Sequence, residues 1–113
     1  MAPVDLAHDD AGDGPVVVLI HGHPFDRAMW APQLAALRGR FRVIAPDLRG
    51  YGDSPVTPGT VTMAQLAADV SHLLDRKGVA GVNISGAASA RGYEYAAQVK
   101  AELAARIREE REA

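Results

Sequence analysis

Val16-Val17-Val18-Leu19-Ile20-His21-Gly22-His23-Pro24 is the stretch around which this chain of 113 residues is organised. Five consecutive apolar, mostly β-branched residues predict a strand buried on both faces, as the middle of a parallel sheet requires. The strand runs straight into a turn. Gly22 lets the backbone bend where a Cβ would clash. Pro24 has a fixed φ and no N–H. Two imidazoles, His21 and His23, flank the glycine. Taken alone, a strand ending in a glycine turn is only topology; the loops downstream decide whether it is also chemistry.

Upstream, Asp9-Asp10-Ala11-Gly12-Asp13-Gly14-Pro15 reads as a loop by composition. Val4–His8 alternates weakly and suits a short edge strand, with His8 solvated. Downstream, Asp26 is a good helix N-cap. Met29, Trp30, Leu34 and Leu37 recur at helical spacing, and Pro32 places the start of the regular helix near itself. Gly39 marks its stop. Phe41–Ala45 is a second buried strand, and it ends in the long loop Pro46–Pro55. Asp47 in that loop either orients a neighbouring loop through its carboxylate or closes an Asx-type turn. Thr62 with Gln65 fits a capping box. Met63, Leu66, Ala67, Val70, Leu73 and Leu74 then form one apolar face. His72 lies near that face and is expected to be exposed. Gly78 ends this helix after Arg76 and Lys77, cations that suit its C-terminus. Val79–Ile84 is a third strand, weakened by Gly81 and Asn83. Ser85–Gly92 is a turn of small residues. From Tyr93 a last helix runs to the end, with Ala96, Val99, Leu103 and Ile107 on a narrow stripe and opposite charges paired at i,i+4.

The alternation of strands and helices predicts an α/β fold. The expected architecture is three layers, a mainly parallel sheet flanked by helices, in one small domain over residues 1–113. Ligands in such sheets bind beyond the carboxyl ends of the strands. His21–Pro24, Pro46–Ser54 and Ser85–Gly92 all lie at that edge.

Composition narrows the function classes. Apolar residues make up 48% of the chain, which excludes a disordered one. The net charge is −2 with acids and bases interspersed, so neither nucleic acid nor an anionic membrane surface is an expected partner. Without cysteine there is no disulfide, thiolate metal site or cysteine nucleophile. No apolar run has the length of a membrane span, and Met1–Asp5 lacks a basic n-region, so the expected location is the cytoplasm. No cofactor and no metal are expected. A small-molecule substrate is the expected partner of an active chain. Open sheet edges and the charged last helix make self-association the other expected contact.

His21-Gly22-His23-Pro24-Phe25-Asp26 with Met29-Trp30, followed by Pro46-Asp47-Leu48-Arg49-Gly50-Tyr51-Gly52-Asp53-Ser54, resembles the N-terminal part of the α/β-hydrolase fold. The resemblance runs from about Val16 to Gly78. It implies hydrolysis of an ester-like or other acyl bond, though epoxide hydrolases and dehalogenases share these early motifs. It also implies that His21-Gly22 is an oxyanion-loop motif, with the His23 backbone N–H as one donor to the oxyanion. Such enzymes place a nucleophile on a sharp strand-to-helix turn. Ser89 stands about seventy residues after His21, where the resemblance puts the nucleophile, with the Ala90 backbone N–H as second donor.

The sequence departs from the pattern in two places. Arg91 fills a position of the turn where the family has a small residue. No histidine follows His72, so the triad's acid and histidine, which come late in the family, are not among these residues. Two further readings follow. One is a truncated or recombined hydrolase segment that folds or self-associates without activity. The other is dinucleotide binding through Gly86–Gly92, a turn similar to the glycine-rich turn of short-chain dehydrogenases.

Overall fold

A computed structural model of the chain describes residues 2–79 and 82–86, together with residues 101 and 105. Its elements are β1 (His8–Ala11), β2 (Val16–Ile20), a 3-10 turn (Arg27–Trp30), α1 (Ala31–Leu37), β3 (Arg42–Pro46), α2 (Met63–Arg76) and β4 (Val82–Gly86). The sheet order is β1-β3-β2-β4. β2 pairs in parallel with β3 and with β4, while β1 runs antiparallel along β3.

The continuous apolar run of β2 is explained by its two partners and its two covered faces. Val18 and Ile20, with Ile44 of β3, pack against Leu66, Ala67, Val70, Leu73 and Leu74 of α2. Leu19, with Val43 and Ala45, packs on the other side against Trp30, Met29, Leu34 and Leu37. Alternate residues of each strand therefore serve opposite layers, and the expected three-layer arrangement follows.

The helices start where the sequence places them. The Asp26 side chain accepts from the Ala28 N–H at 2.9 Å. The chain passes through the 3-10 turn before α1, whose first turn holds Pro32. Both halves of the capping box on α2 are made: the Gln65 N–H donates to Thr62 Oγ1 at 3.1 Å, and the Thr62 N–H to Gln65 Oε1 at 2.9 Å. Gly78 adopts φ +68°, the left-handed stop that glycine tolerates. His72 is half-exposed and pairs with Asp5 at 3.1 Å.

The N-terminal reading needs correction. The edge strand is His8–Ala11, in the stretch that composition assigned to a loop. Asp10 sits opposite Ile44 in the ladder. Its carboxylate accepts from Arg42 at 3.0 and 2.8 Å and from Lys77 at 3.1 Å. The Arg42 hydrogen bond, against the opposing effect of burial and aided by Lys77, pulls the Asp10 pKa down to about 2. These partners come from remote parts of the chain, and they outweigh the poor strand propensity of aspartate. His8 is half-buried rather than solvated, with Nδ1 at 2.9 Å from the Leu6 carbonyl. β4 begins at Val82 rather than Val79 and takes in Ser85 and Gly86. The remainder of the turn to Gly92 and nearly all of the last helix lie outside the described residues; residues 101 and 105 are helical. No helix among the described residues is long and apolar enough to cross a membrane.

Among the described residues, one ion pair is fully buried. Arg49 Nε and Nη2 donate to Asp69 at 2.8 and 2.7 Å, and the Val4 N–H donates to the same carboxylate at 3.0 Å. The pair ties the loop after β3 to α2 and to the N-terminal segment. Removing one partner strands a buried charge, so Asp69→Ala is expected to cost about 3–5 kcal/mol in urea unfolding. Arg49→Met combined with Asp69→Leu is expected to recover most of that loss.

Candidate active site

Parallel pairing brings the ends of β2, β3 and β4 to one edge of the sheet. Ile20 lies opposite Gly86, and Val18 opposite Ile44. The loop from His21 therefore leaves the sheet beside the loop from Asp47.

His21 joins the two. It is fully buried. The Leu48 N–H donates to its Nε2 at 2.9 Å, so Nε2 carries no proton. The proton is then on Nδ1, which lies 3.0 Å from the Gly22 carbonyl and donates to it. Burial is the main cause that lowers the His21 pKa below its ordinary value; the Gly22 carbonyl, Asp47 and Asp26 oppose it. The ring is neutral in the fold.

The consequence falls on the next peptide. The Gly22 carbonyl also accepts from the Phe25 N–H at 2.8 Å. In a trans peptide the C=O and N–H point in opposite directions. Two donors holding the Gly22 oxygen thus aim the His23 N–H the other way. Among the described residues no acceptor meets that N–H. A fixed dipole whose hydrogen no described residue takes is compatible with an oxyanion donor.

Asp47 supplies a second link between the loops. Its carboxylate accepts from the Arg27 N–H at 2.7 Å, from the Arg27 guanidinium and from the Asp53 N–H at 2.9 Å. Of the two roles open to Asp47, it takes the first and orients the neighbouring loop; the bond within its own loop spans six residues to Asp53 and is not an Asx-type turn, which closes two residues on. Ser54 Oγ donates to the Asp47 carbonyl at 2.6 Å and accepts from the Ala7 N–H at 3.0 Å. Gly52, at φ +50°, passes so close to the Asp47 carboxylate that a Cβ would overlap it. Arg27 also reaches Asp9 at 3.3 Å and Asp53 at 3.2 Å. Burial lowers its pKa, but the charges of Asp47, Asp9 and Asp53 prevail and raise it.

A cavity of about 510 Å³ lies on this side of the molecule, lined by Asp9, Asp26, Arg27, Asp47 and Asp53 among others. Neither His21 nor His23 lines it. Its four carboxylates are unsuited to a developing oxyanion. Among the described residues no group of three His, Cys, Asp or Glu side chains is arranged to hold a metal ion.

Of the three residues that the resemblance places in the catalytic apparatus, His23, Ser89 and Ala90, only His23 falls within the described residues. Ser89 and Ala90 lie outside them, and β4 ends at Gly86 beside Ile20. No local pattern points to Arg27 as a clamp, because its three aspartate partners become neighbours only in the fold.

Comparison with known proteins settles the class. The family model described as alpha/beta hydrolase fold matches residues 15–87, and the chain belongs to that family. The match extends across β4, so it takes in Ser85 and Gly86 of the glycine-rich turn. Over 78 residues the chain is 44% identical to epoxide hydrolase 3 of Siraitia grosvenorii, covering 66% of this chain and 25% of that protein. It is 40% identical over 63 residues to 3-oxoadipate enol-lactonase 1 of Acinetobacter baylyi, covering 56% of this chain and 23% of the other. A solved thermophilic esterase from Thermogutta terrifontis superposes with a TM-score of 0.78 at 38% identity, covering 91% of this chain and 36% of that one. The chain thus spans about a quarter of the length of these two sequence relatives.

The neutral His21 predicts a pH dependence. Unfolded, the imidazole has its ordinary pKa of 6.5; folded, it is lower. Below 6.5 the unfolded chain takes up the proton first, so this contribution to stability is complete above pH 6.5 and is lost as the pH falls. Urea unfolding between pH 7.5 and 5 is expected to show stability falling by up to about 1.4 kcal/mol per pH unit from this group. His21→Asn, which does not titrate, is expected to be less stable at pH 7.5 and to lose that slope.

Proposed function

We propose that this chain carries the oxyanion-binding half of a hydrolase acting on ester or other acyl bonds. The observation that supports it is the Gly22–His23 peptide, held by two donors on its oxygen, with an N–H that no described residue takes. In this reading the His23 N–H stabilises the charge that develops on a carbonyl oxygen as a nucleophile adds. Ser89 is the candidate nucleophile, and the Ala90 N–H is the second donor. The relatives named as an esterase and an enol-lactonase favour an acyl bond. The relative named as an epoxide hydrolase keeps ring opening as the neighbouring chemistry. A serine hydroxyl is a weak nucleophile without a base. The triad's acid and histidine would have to come from polypeptide beyond these residues. The substrate is a small neutral acyl compound, met beyond the carboxyl ends of β2 and β4.

The test is hydrolysis of p-nitrophenyl acetate by the full chain and by Ser89→Ala. A fall of about tenfold or more in the variant is expected if Ser89 forms the acyl intermediate. Equal slow rates would remove Ser89 from that role.

A further inference from the structure

We infer that Tyr51 is a positioning residue for the oxyanion loop, acting through the imidazole of His23. This rests on the reading of the His23 N–H as an oxyanion donor. Gly22, without a Cβ, puts no side-chain limit on the loop's backbone angles, so hydrogen bonds must set them. The bonds to the Gly22 oxygen restrain one side of the peptide that carries the donor. On the other side, the His23 side chain is exposed and, among the described residues, packs in neither core cluster. What holds it is Tyr51: its hydroxyl and His23 Nδ1 share a hydrogen bond of 2.7 Å. The Tyr51 ring also stands edge-on to both imidazoles, with centroids 5.0 Å from His21 and 5.8 Å from His23.

Tyr51 is well anchored for this task. Its N–H donates to the Leu48 carbonyl at 2.9 Å, and its own carbonyl accepts from the Ser54 N–H at 3.0 Å. The chain bends on both sides of it, at Gly50 with φ +86° and Gly52 with φ +50°. Leu48 is also the residue whose N–H holds His21. One short turn after β3 therefore grips the oxyanion loop at two successive odd positions: His21 through a backbone donor and His23 through a phenol. A side chain fixed at Nδ1 narrows the rotamers and backbone angles open to its own residue. The direction of the donor N–H is narrowed with them.

The experiment uses Tyr51→Phe, which removes the hydroxyl and keeps the ring, and His23→Ala, each in the full chain. The first reading is amide exchange at Phe25, whose N–H closes the loop onto Gly22. Loss of one hydrogen bond is expected to speed it about fivefold in Tyr51→Phe. In the His23→Ala background the same change at residue 51 is expected to add nothing. The second reading is the ¹⁵N resonance of His23 Nδ1, which is expected to move in Tyr51→Phe while those of His21 stay. Unchanged Phe25 exchange, or equal acceleration by Tyr51→Phe with and without His23, overturns the inference. So does an unmoved Nδ1 resonance. Where wild type hydrolyses p-nitrophenyl acetate, the Tyr51→Phe loss is expected in kcat, with KM unchanged. A loss confined to KM overturns the positioning role. Absence of hydrolysis by wild type counts against the hydrolase reading alone, because the exchange and resonance readings need no activity.

Discussion

A single buried imidazole bonded at both nitrogens is the constraint on which the candidate site depends. His21 accepts a hydrogen bond from the Leu48 N–H at Nε2 and donates one from Nδ1 to the Gly22 carbonyl. Neither bond survives exchange for another residue type without cost, since a buried group left unpaired loses its hydration with nothing in return. The neutral state is part of the design. A protonated ring would face the Leu48 N–H with a second donor. The same low-dielectric surroundings that strengthen the two bonds resist that charge. Orientation of the neighbouring peptide is thus inherited from a tautomer, and the tautomer from the loop after β3.

That loop is itself held from three directions. Asp47 reaches across to Arg27, Arg49 reaches down to Asp69 on α2, and Ser54 reaches to Ala7 ahead of β1. Each contact joins segments far apart in sequence, so the loop is ordered by the whole fold rather than by its own turns. Close packing at Gly52 against the Asp47 carboxylate shows how little slack remains. A loop built in this way does not need to reorganise when charge appears beside it, and that is the property electrostatic catalysis requires.

Much of this architecture was legible in the residues, and the legible parts share a cause. Val16–Ile20, the Thr62–Gln65 box and the apolar face from Met63 to Leu74 are set by neighbours at short spacing, through period, propensity and caps. The parts that were not legible depend on distant partners. His8–Ala11 forms a strand because Arg42 and Lys77 neutralise Asp10, and because β3 offers an open edge. Arg27 is a clamp because Asp9, Asp47 and Asp53 converge on it. Asp69, an acid in the middle of an otherwise regular helix, carried a signal: a carboxylate beside the buried positions Val70 and Leu73 needs a cation. The identity of that cation, Arg49, was not written in any local pattern.

The two halves of a site of this kind differ in what must be in place before they form. In the proposed reading the first donor, the His23 N–H, and the groups that position it lie within residues 21–54. Among the described residues, His21, Gly22, His23, Phe25, Leu48 and Tyr51 supply the contacts that fix its peptide, and all six belong to loops anchored by the four described strands and by α2. Nothing in its geometry waits for a general base. The nucleophile half is different in kind. A hydroxyl acquires reactivity only from a base held within hydrogen-bond reach, and the base in turn from an acid, so its parts are useless singly. A preorganised donor, by contrast, retains its electrostatic value on its own. A chain that spans about a quarter of the length of two of its relatives can therefore keep this first donor in place, because the contacts that aim it run between two adjacent loops that the described fold holds.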